Sequence, residues 1–467
     1  MTTTACSIIP PYVLEELAQS DDERVAAQAR RTLEVDAGIR SKLRARDAIP
    51  LPSEPAPQST TRGASREPQR TIYDAKGGTK LPGNQVRREG ESATGDEATD
   101  QAYDGLGATW TLLHDAFERD SLDDRGLPLL ASVHYGRDYD NAFWDGEQMV
   151  FGDGDGKIFL GFTRSIDVIG HELAHGMTQY TAGLNYQGQS GALNEHVSDV
   201  FGSLVKQKSL GQSADQADWL IGAELLAPGV KGKALRSMTE PGTAYDDPRL
   251  GKDPQPDHMD RYVETSDDNG GVHINSGIPN RAFAVAALEL GGNAWEGVGQ
   301  VWYDVLTGDI KANCDFATFA ALTIKAATAV DEATAAAVRK GWETVGVDPA
   351  KAAKPRKRRS RTRKPAGDQA APGKNAKVVV RRTGGVAGVQ VEREVRLRDL
   401  SQEDAAHWQA LVETRALERA SLDTGSPRPD AFSYEVHVPS RGLDLSIPEP
   451  ALDDKARELL DRTLRED

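Results

Sequence analysis

The segment DVIGHELAHGMTQY, residues 167 to 180, constrains this chain more than any other because it places two histidines four residues apart in a helix-forming context. On an α-helix His171 and His175 lie one above the other on one face, while Glu172 points about 100° away. Two imidazoles can then bind one metal ion, and the carboxylate can reach a water on that ion without becoming a ligand. The alternative is an ordinary core-facing helix that carries two histidines.

Composition and charge exclude several classes of protein. The chain has 467 residues and no run of 18 apolar ones, so we expect two or three domains and no membrane span. A formal net charge of -16 argues against general nucleic-acid binding. Two cysteines, Cys6 and Cys314, make no disulfide framework. The amino terminus does not have the pattern of a secretory signal peptide, so a cytoplasmic location is the default expectation, with export by a route that needs no cleaved signal left open.

Changes of pattern along the chain predict its division into segments. Short apolar runs with Asp-Gly pairs predict strands before Ser165, and amphipathic helical patterns follow. The tract KAAKPRKRRSRTRK predicts a solvated linker. The predicted fold is α+β, with a β-rich lobe, a helical lobe and a small separate α+β module. The predicted boundaries are 1–65 for an amino-terminal segment and linker, 71–165 for the β-rich lobe, 166–347 for the helical lobe, 348–374 for the basic linker and 375–467 for the final module.

A catalytic zinc site needs a third protein ligand and an open position for water. Positions 178 and 181 are both threonine, which excludes the motif that supplies a third histidine. The segment LNEHVSD offers Glu195 on a following helix, with Asp199 four residues later on the same face. Glu195 can close the site, and Asp199 can accept the second ring N–H of a ligand histidine.

Several motifs in order carry a resemblance to a known family. NAFWDGEQMVFGDGDG, GHELAHGMTQYTAGLNYQGQSGALNEHVSDVFG, ALRSM and DNGGVHINSGIPN resemble segments of the thermolysin family of metallopeptidases, and the resemblance covers roughly residues 71 to 347. It implies a two-lobed zinc endopeptidase acting on protein or peptide substrates, with His171, His175 and Glu195 as zinc ligands and Glu172 as the general base. A catalytically silent protein that uses the same fold as a binding scaffold is the alternative.

The resemblance also implies roles for residues outside the zinc motif. Tyr186 and His273 would stabilise the anionic intermediate, and Asp268 would orient His273. Asn141, Ala142 and Arg236 would hold the substrate backbone. An apolar pocket that favours cleavage before bulky hydrophobic residues would be lined by Phe159, Phe162, Val168 and Leu235.

Calcium is the uncertain cofactor. Asp167 and Asp218 occupy acidic positions of the family's paired calcium site, but Lys206, Leu220 and Ala223 stand where carboxylates would be, and Lys233 replaces an aspartate at a further site. A lysine ammonium repels a hard cation. We therefore expect weak or absent calcium dependence at these sites.

The two ends of the chain resemble regulatory segments. IIPPYVLEEL is similar to the short pro-segment of protealysin-like members, which implies a latent precursor. The Cys6 thiolate is a candidate for the open zinc position of that precursor, and a lone buried cysteine is the alternative. VRRTGGVAGV and PDAFSYEVHV resemble emfourin, a small protein inhibitor of such enzymes, which implies contact with the protease domain within one chain or between two. A substrate-targeting or assembly module is the alternative.

Overall fold

The computed structural model describes residues 6–47, 67–352, 377–384, 391–413, 417, 432–438, 443–449, 452 and 454–464. The chain divides into two compact units, Met1–Pro355 and Arg356–Asp467. Among the described residues, no helix combines the length and the apolar character needed to cross a membrane.

The first unit contains ten strands and ten α-helices among its described residues. The strands are β1 Cys6–Ser7, β2 Arg70–Asp74, β3 Asn84–Arg88, β4 Leu129–Val133, β5 Ala142–Trp144, β6 Met149–Phe151, β7 Leu220–Ile221, β8 Arg236–Ser237, β9 Asp246–Asp247 and β10 Gly251–Lys252. The helices are α1 Pro11–Leu17, α2 Glu23–Asp47, α3 Glu97–Phe117, α4 Ile166–Tyr180, α5 Gly188–Leu210, α6 Asp268–Asn275, α7 Gly277–Leu290, α8 Val298–Thr307, α9 Phe316–Val330 and α10 Glu332–Thr344.

A six-stranded mixed sheet forms the β-rich part of this unit, in the order β1-β5-β6-β4-β2-β3. Its edge strand β1 comes from the amino-terminal segment and pairs antiparallel with β5, with Cys6 opposite Trp144 and Ser7 opposite Phe143. The chain then continues into α1, whose apolar side chains Val13, Leu14 and Leu17 are buried, and into α2, where Val25 and Ala29 are buried. The amino-terminal segment therefore packs as part of the first unit.

A long helix, α3, lies within the stretch whose sequence predicts mainly strands. It begins after Asp96, whose side chain accepts a hydrogen bond from the backbone N–H of Thr99. Gly105 lies on its buried face, where an added Cβ would be 2.3 Å from Cδ1 of Ile169. The glycine is required because α3 and α4 approach closely at this point. This contact joins α3, which lies in the β-rich part of the sequence, to the first helix of the helical lobe.

Helices α4 and α5 pack tightly against each other and position the candidate site. At Gly202 of α5, a Cβ would lie 2.3 Å from the carbonyl oxygen of Asp167, and at Gly170 of α4 a Cβ would lie 3.0 Å from Val205. These two glycines allow the helix backbones to approach closely. The side chains of His171 and Glu195 then meet between the two helices.

The second unit is a small α+β structure. Its described elements are β11 Lys377–Gly384, β12 Val391–Arg396, α11 Gln402–Glu413, β13 Phe432–Val438, β14 Leu443–Pro448 and α12 Asp454–Leu464. The strands form one antiparallel sheet in the order β12-β11-β13-β14. A separate core, which includes Trp408, Tyr434 and Leu460, is buried in this unit. The basic linker predicted at 348–374 lies largely outside the described residues.

Candidate metal centre and active site

His171 and His175 project from successive turns of α4 toward one point. Their side chains are buried, and their Nε2 atoms lie 3.1 Å apart. The Nδ1 atom of His171 lies 2.8 Å from Oδ1 of Asp199, and Nδ1 of His175 lies 2.8 Å from Oδ1 of Asn194. Because these oxygens are acceptors, each Nδ1 carries the proton and each Nε2 presents a lone pair. Two lone pairs facing each other at this distance repel unless a cation lies between them.

Glu195 of α5 provides the third group. Its carboxylate oxygens lie 3.6 Å from Nε2 of His171 and 3.5 Å from Nε2 of His175. The ligand atoms of the three residues all lie within 4.8 Å of one another. Two nitrogens bound to one tetrahedral zinc ion would be roughly 3.3 Å apart, since each Zn–N bond is about 2.0 to 2.1 Å. The donor set and its spacing therefore fit zinc.

Glu172 is fully buried beside this cluster. Its Oε2 accepts a 3.0 Å hydrogen bond from the backbone N–H of Trp144, and its Oε1 has no hydrogen-bond partner among the described residues. Burial, followed by the nearby charge of Glu195, raises the pKa of Glu172 well above its usual value. One oxygen is therefore fixed by the backbone, and the other is available to accept a proton.

Tyr186, His273 and Asp268 form a chain of polar groups on the other side of Glu195. Nε2 of His273 lies 3.2 Å from the Tyr186 hydroxyl, which also donates to Glu195. Asp268 accepts from the backbone N–H of His273 at 2.8 Å and lies 2.5 Å from its Nδ1. Burial opposes the charged form of His273, but Asp268 and Glu195 outweigh it and raise the pKa of this ring.

The fold of α6 explains how Asp268 reaches His273. Besides Asp268 itself, which has a φ of 51°, three residues within α6, Asn269, Gly270 and Gly271, have left-handed backbone angles with φ of 51°, 82° and 72°. The resulting turn brings the Asp268 carboxylate back to the amide and ring of His273. Glycine adopts positive φ without the steric cost that a Cβ adds, which explains two of these three positions.

The predicted substrate-backbone residues contact the amino-terminal segment. Oδ1 of Asn141 accepts from the backbone N–H of Ile9 at 2.9 Å, and Nδ2 donates to the carbonyl of Ile9 at 3.2 Å. The carbonyl of Ala142 accepts from Ile8 at 3.1 Å, and Nη1 of Arg236 donates to the Ile8 carbonyl at 3.3 Å. Two adjacent residues and the distant Arg236 thus hold the backbone of Ile8 and Ile9.

The four predicted pocket residues are all buried in the main core of the first unit. Phe159 and Phe162 contact each other, with ring centroids 5.9 Å apart. Val168 lies in the first turn of α4, and Leu235 precedes β8. Ile8 and Ile9 belong to the same buried apolar cluster.

Three contacts near the site were not predicted from the sequence. Asn194 accepts from His175, and its Nδ2 donates to the carbonyl of Leu184 at 3.2 Å, which fixes the orientation of the amide. Arg236 binds Asp199 through two nitrogens, with Nε 2.9 Å from Oδ2 and Nη2 2.8 Å from Oδ1. The Trp144 amide binds Glu172. Of these contacts, only that of Asn194 could have been suspected from the sequence, because Asn194 directly precedes Glu195 in LNEHVSD.

Lys206 occupies the centre of an acidic group. Its Nζ lies 3.3 Å from Asp167, 2.9 Å from Asp218 and 3.4 Å from Glu224. Burial opposes the charged form, but these three carboxylates outweigh it and raise the pKa of Lys206. The ammonium group therefore neutralises carboxylates that would otherwise lie together.

Family models match most of the chain. The thermolysin metallopeptidase catalytic domain matches residues 58–179, and the thermolysin metallopeptidase alpha-helical domain matches residues 182–347. The Emfourin family matches residues 380–464. The predicted resemblances to both families are confirmed.

Known relatives agree with these matches. An extracellular metalloprotease of Pectobacterium carotovorum subsp. carotovorum is 52% identical over 73% of this chain and 96% of its own length. Protease PrtS of Photorhabdus sp. (strain Az29) is 49% identical over 73% of this chain and 91% of its own. The structure of the protealysin precursor from Serratia proteamaculans matches with a TM-score of 0.66 and 53% identity, covering 73% of this chain and 99% of that one.

The comparisons also decide two expectations that concern the whole protein. The default expectation of a cytoplasmic location is wrong, because relatives named as extracellular metalloproteases point to secretion. That expectation rested on the pattern of the amino-terminal residues alone. The alternative of a silent binding scaffold is unsupported, because relatives are named as proteases and the chain has a cluster, His171, His175 and Glu195, that could hold a metal ion. This chain belongs to the thermolysin family of metallopeptidases.

Proposed function

We propose that the chain is a zinc-dependent neutral endopeptidase in which His171, His175 and Glu195 hold the metal and Glu172 is the general base. The observation that carries this proposal is the pair of Nε2 lone pairs 3.1 Å apart, with the Glu195 carboxylate beside them. A metal-free preparation should regain peptide hydrolysis on titration with one equivalent of zinc. Binding of zinc without peptide hydrolysis in any processed form would contradict the proposal.

Zinc, when bound, supplies Lewis acidity that polarises the scissile carbonyl and acidifies a water. The free oxygen of Glu172 would take the proton of the attacking water and later pass it to the leaving amine. Burial raises the pKa of Glu172, which makes its carboxylate a better proton acceptor in the first step. The Trp144 amide keeps the carboxylate oriented during both transfers.

Tyr186 and His273 would donate hydrogen bonds to the oxygen that becomes negative as the carbonyl is attacked. Preorganised donors at that position lower the barrier because they need not reorient during the reaction. Asp268 supports this role by fixing the His273 ring at 2.5 Å and favouring its protonated form. We assign Asp199 a separate role, which is to orient His171 and raise its basicity as a ligand.

The contacts to Ile8 and Ile9 suggest how a substrate backbone would bind. Asn141, Ala142 and Arg236 would bind a peptide as they bind this segment, adding a strand to the edge of the sheet at β5. The pocket formed by Phe159, Phe162, Val168 and Leu235 would select a bulky apolar residue after the cut bond. Mapping of cleavage sites in a denatured protein tests this preference.

Residues 1–65 would act as an inhibitory pro-segment. Strand β1 pairs with β5, and the backbone of Ile8 and Ile9 takes the hydrogen bonds of Asn141 and Arg236 that a substrate would use. A substrate could then not bind while the segment stays bound. The structural match to a protealysin precursor also supports an inhibitory pro-segment. The side chain of Cys6 and most of the linker predicted at residues 48–70, where the segment would be cleaved, lie outside the described residues. The hypothesis that the Cys6 thiolate binds zinc therefore stays a prediction.

The carboxy-terminal module would regulate the protease. The Emfourin match supports a module able to bind the protease domain, either in its own chain or in another copy. Calcium would have little effect at the position of Lys206, because an ammonium group already lies between Asp167, Asp218 and Glu224.

A further inference from the structure

A line of buried polar side chains runs from the metal site into the helical lobe. Oδ2 of Asp199 accepts a 2.8 Å hydrogen bond from Nδ2 of Asn280 on α7. Oδ1 of Asn280 lies 2.8 Å from Nδ1 of His196, and Nε2 of His196 lies 2.7 Å from the indole nitrogen of Trp302 on α8. All four side chains are buried, so water does not compete for these bonds.

The chemistry of the groups gives this line only one hydrogen-bonding direction. An indole N–H can only donate, so Nε2 of His196 must accept, and the proton of this ring lies on Nδ1. Nδ1 then donates to Oδ1 of Asn280. The amide of Asn280 is thereby oriented, and its Nδ2 points at Asp199 as a donor. The indole N–H of Trp302 thus determines that the NH2 group of the Asn280 amide, and not its oxygen, points at Asp199.

Asp199 needs this donor because two other groups compete for its oxygens. Oδ1 is shared between Nδ1 of His171 at 2.8 Å and Nη2 of Arg236 at 2.8 Å. Oδ2 is shared between Nε of Arg236 at 2.9 Å and Nδ2 of Asn280 at 2.8 Å. Without Asn280, the hydrogen bonds to Oδ2 within the described part of the chain come from Arg236 alone, and the carboxylate can rotate toward that side chain. The bond that holds His171 would then lengthen.

We propose that Trp302, His196 and Asn280 are positioning residues that orient Asp199 and, through it, the zinc ligand His171. The inference rests on the proposed zinc site but goes beyond it, because none of the three residues contacts a ligand histidine. Partners that orient zinc ligands directly contribute about 10- to 100-fold in metal affinity. We expect a smaller effect, roughly 3- to 10-fold, from groups one bond further away.

The structure offers a matched pair of tryptophans for the test. Trp302 and Trp342 stack on each other, with centroids 6.1 Å apart and an interplanar angle of 4°. Both are buried and each donates one indole hydrogen bond, that of Trp342 going to Oγ1 of Thr323 at 2.8 Å. Phenylalanine at either position removes one indole N–H and leaves a similar cavity. Only Trp302→Phe breaks the line to Asp199.

The measurement is zinc affinity by competition with a chelator, made on the full chain with Glu172→Ala added to prevent self-cleavage. Trp302→Phe should weaken zinc binding roughly 3- to 10-fold, and Trp342→Phe should stay within about twofold of the parent. Thermal unfolding should show comparable losses for the two variants. Equal zinc affinities for the two would overturn the proposal, because the network would then be only a part of the core.

Asn280→Asp is the second variant, in case a tryptophan change prevents folding. The aspartate can still accept from His196, but it presents an acceptor to Asp199 in place of a donor. It should weaken zinc binding at least as much as Trp302→Phe, and parent-like affinity would also overturn the proposal. Failure of the parent chain itself to bind zinc would instead count against the proposed function.

Discussion

Asp36 on helix α2 accepts a 2.9 Å hydrogen bond from Nδ2 of Asn141, the same amide that holds the backbone of Ile9. Asp36 also accepts from the hydroxyl of Tyr139 at 2.6 Å, and its side chain is buried. Two residues of α2 at helical spacing, Gln28 and Thr32, bind Asp140 next to these groups. One polar face of α2 therefore holds residues 139 to 141.

Replacing Asp36 should weaken latency. Hydrogen bonds to a charged group contribute about 1.5 to 3 kcal/mol, so Asp36→Ala should loosen the pro-segment by roughly tenfold or more. The unprocessed full chain should then show a higher initial rate on a small peptide substrate, with the mature activity unchanged. Glu34→Ala is the control, because Glu34 is an exposed carboxylate on the same helix. Equal latency in both variants would refute a role for Asp36.

Latency should also weaken as pH rises. Burial, reinforced by Asp155 and Asp138 and opposed by Gln28 and Arg31, raises the pKa of Asp140 from 3.8 to about 8. Docking of α2 contributes to this burial, so docking takes up a proton. Because the pKa of Asp140 is higher in the docked state, its protonated carboxyl favours docking, and this contribution is fully present at low pH. The contribution is lost as the pH rises through about 8.

The corresponding measurement is the rate of activation of the full chain between about pH 6 and 9, divided by mature activity at each pH. Raising the pH from about 7 to 9 should weaken docking by up to about tenfold if one proton is linked. Asp140→Asn should flatten this dependence because it cannot titrate. A pH profile that Asp140→Asn leaves unchanged would exclude this carboxyl as the cause.

Calcium should not stabilise the parent chain at the site of Lys206. Removing the ammonium with Lys206→Met leaves buried Asp167 close to two other carboxylates, which should cost about 3 kcal/mol of stability. Calcium added to an EDTA-treated, zinc-restored sample should raise the unfolding temperature of Lys206→Met but not that of the parent. A rise of several degrees in the parent would contradict this assignment.

Deletion of residues 356–467 separates the two interpretations of the carboxy-terminal module. If the module inhibits the protease, the deletion should raise peptide hydrolysis by the processed enzyme several-fold, and adding a full-length Glu172→Ala chain should lower it again. Unchanged activity on a small peptide, with altered cleavage of large protein substrates, would favour targeting. The deletion begins at Arg356, where the second compact unit begins, so it leaves the described core of the first unit intact.

Local spacing made the metal cluster predictable from the sequence. The helical period places His171 over His175, and the i,i+4 relation places Asp199 one turn beyond Glu195 on the next helix. The family resemblance added Tyr186 and His273, whose contact joins positions 87 residues apart. The roles of all these residues in catalysis stay predictions until variants are measured.

Contacts between distant segments were not predictable in the same way. Asp36 and Asn141 are 105 residues apart, and His196 and Trp302 are 106 apart, so no periodic pattern links them. The sequence indicated that Lys206 would repel calcium, but its three carboxylate partners depend on tertiary packing. Helix α3 was missed because Gly105 and Gly107 lower helix propensity, whereas Gly105 serves the close contact with Ile169.

The central claim is tested most directly by peptide hydrolysis with Glu172→Gln, which keeps the shape of the side chain but removes the proton acceptor. The processed variant and its parent are compared by kcat/KM, by zinc content and after treatment with a zinc chelator. The account predicts a loss of about 100- to 10,000-fold in the variant with zinc retained, and loss of parent activity on chelation. Activity within about tenfold of the parent in Glu172→Gln, or parent activity that survives removal of zinc, would contradict it.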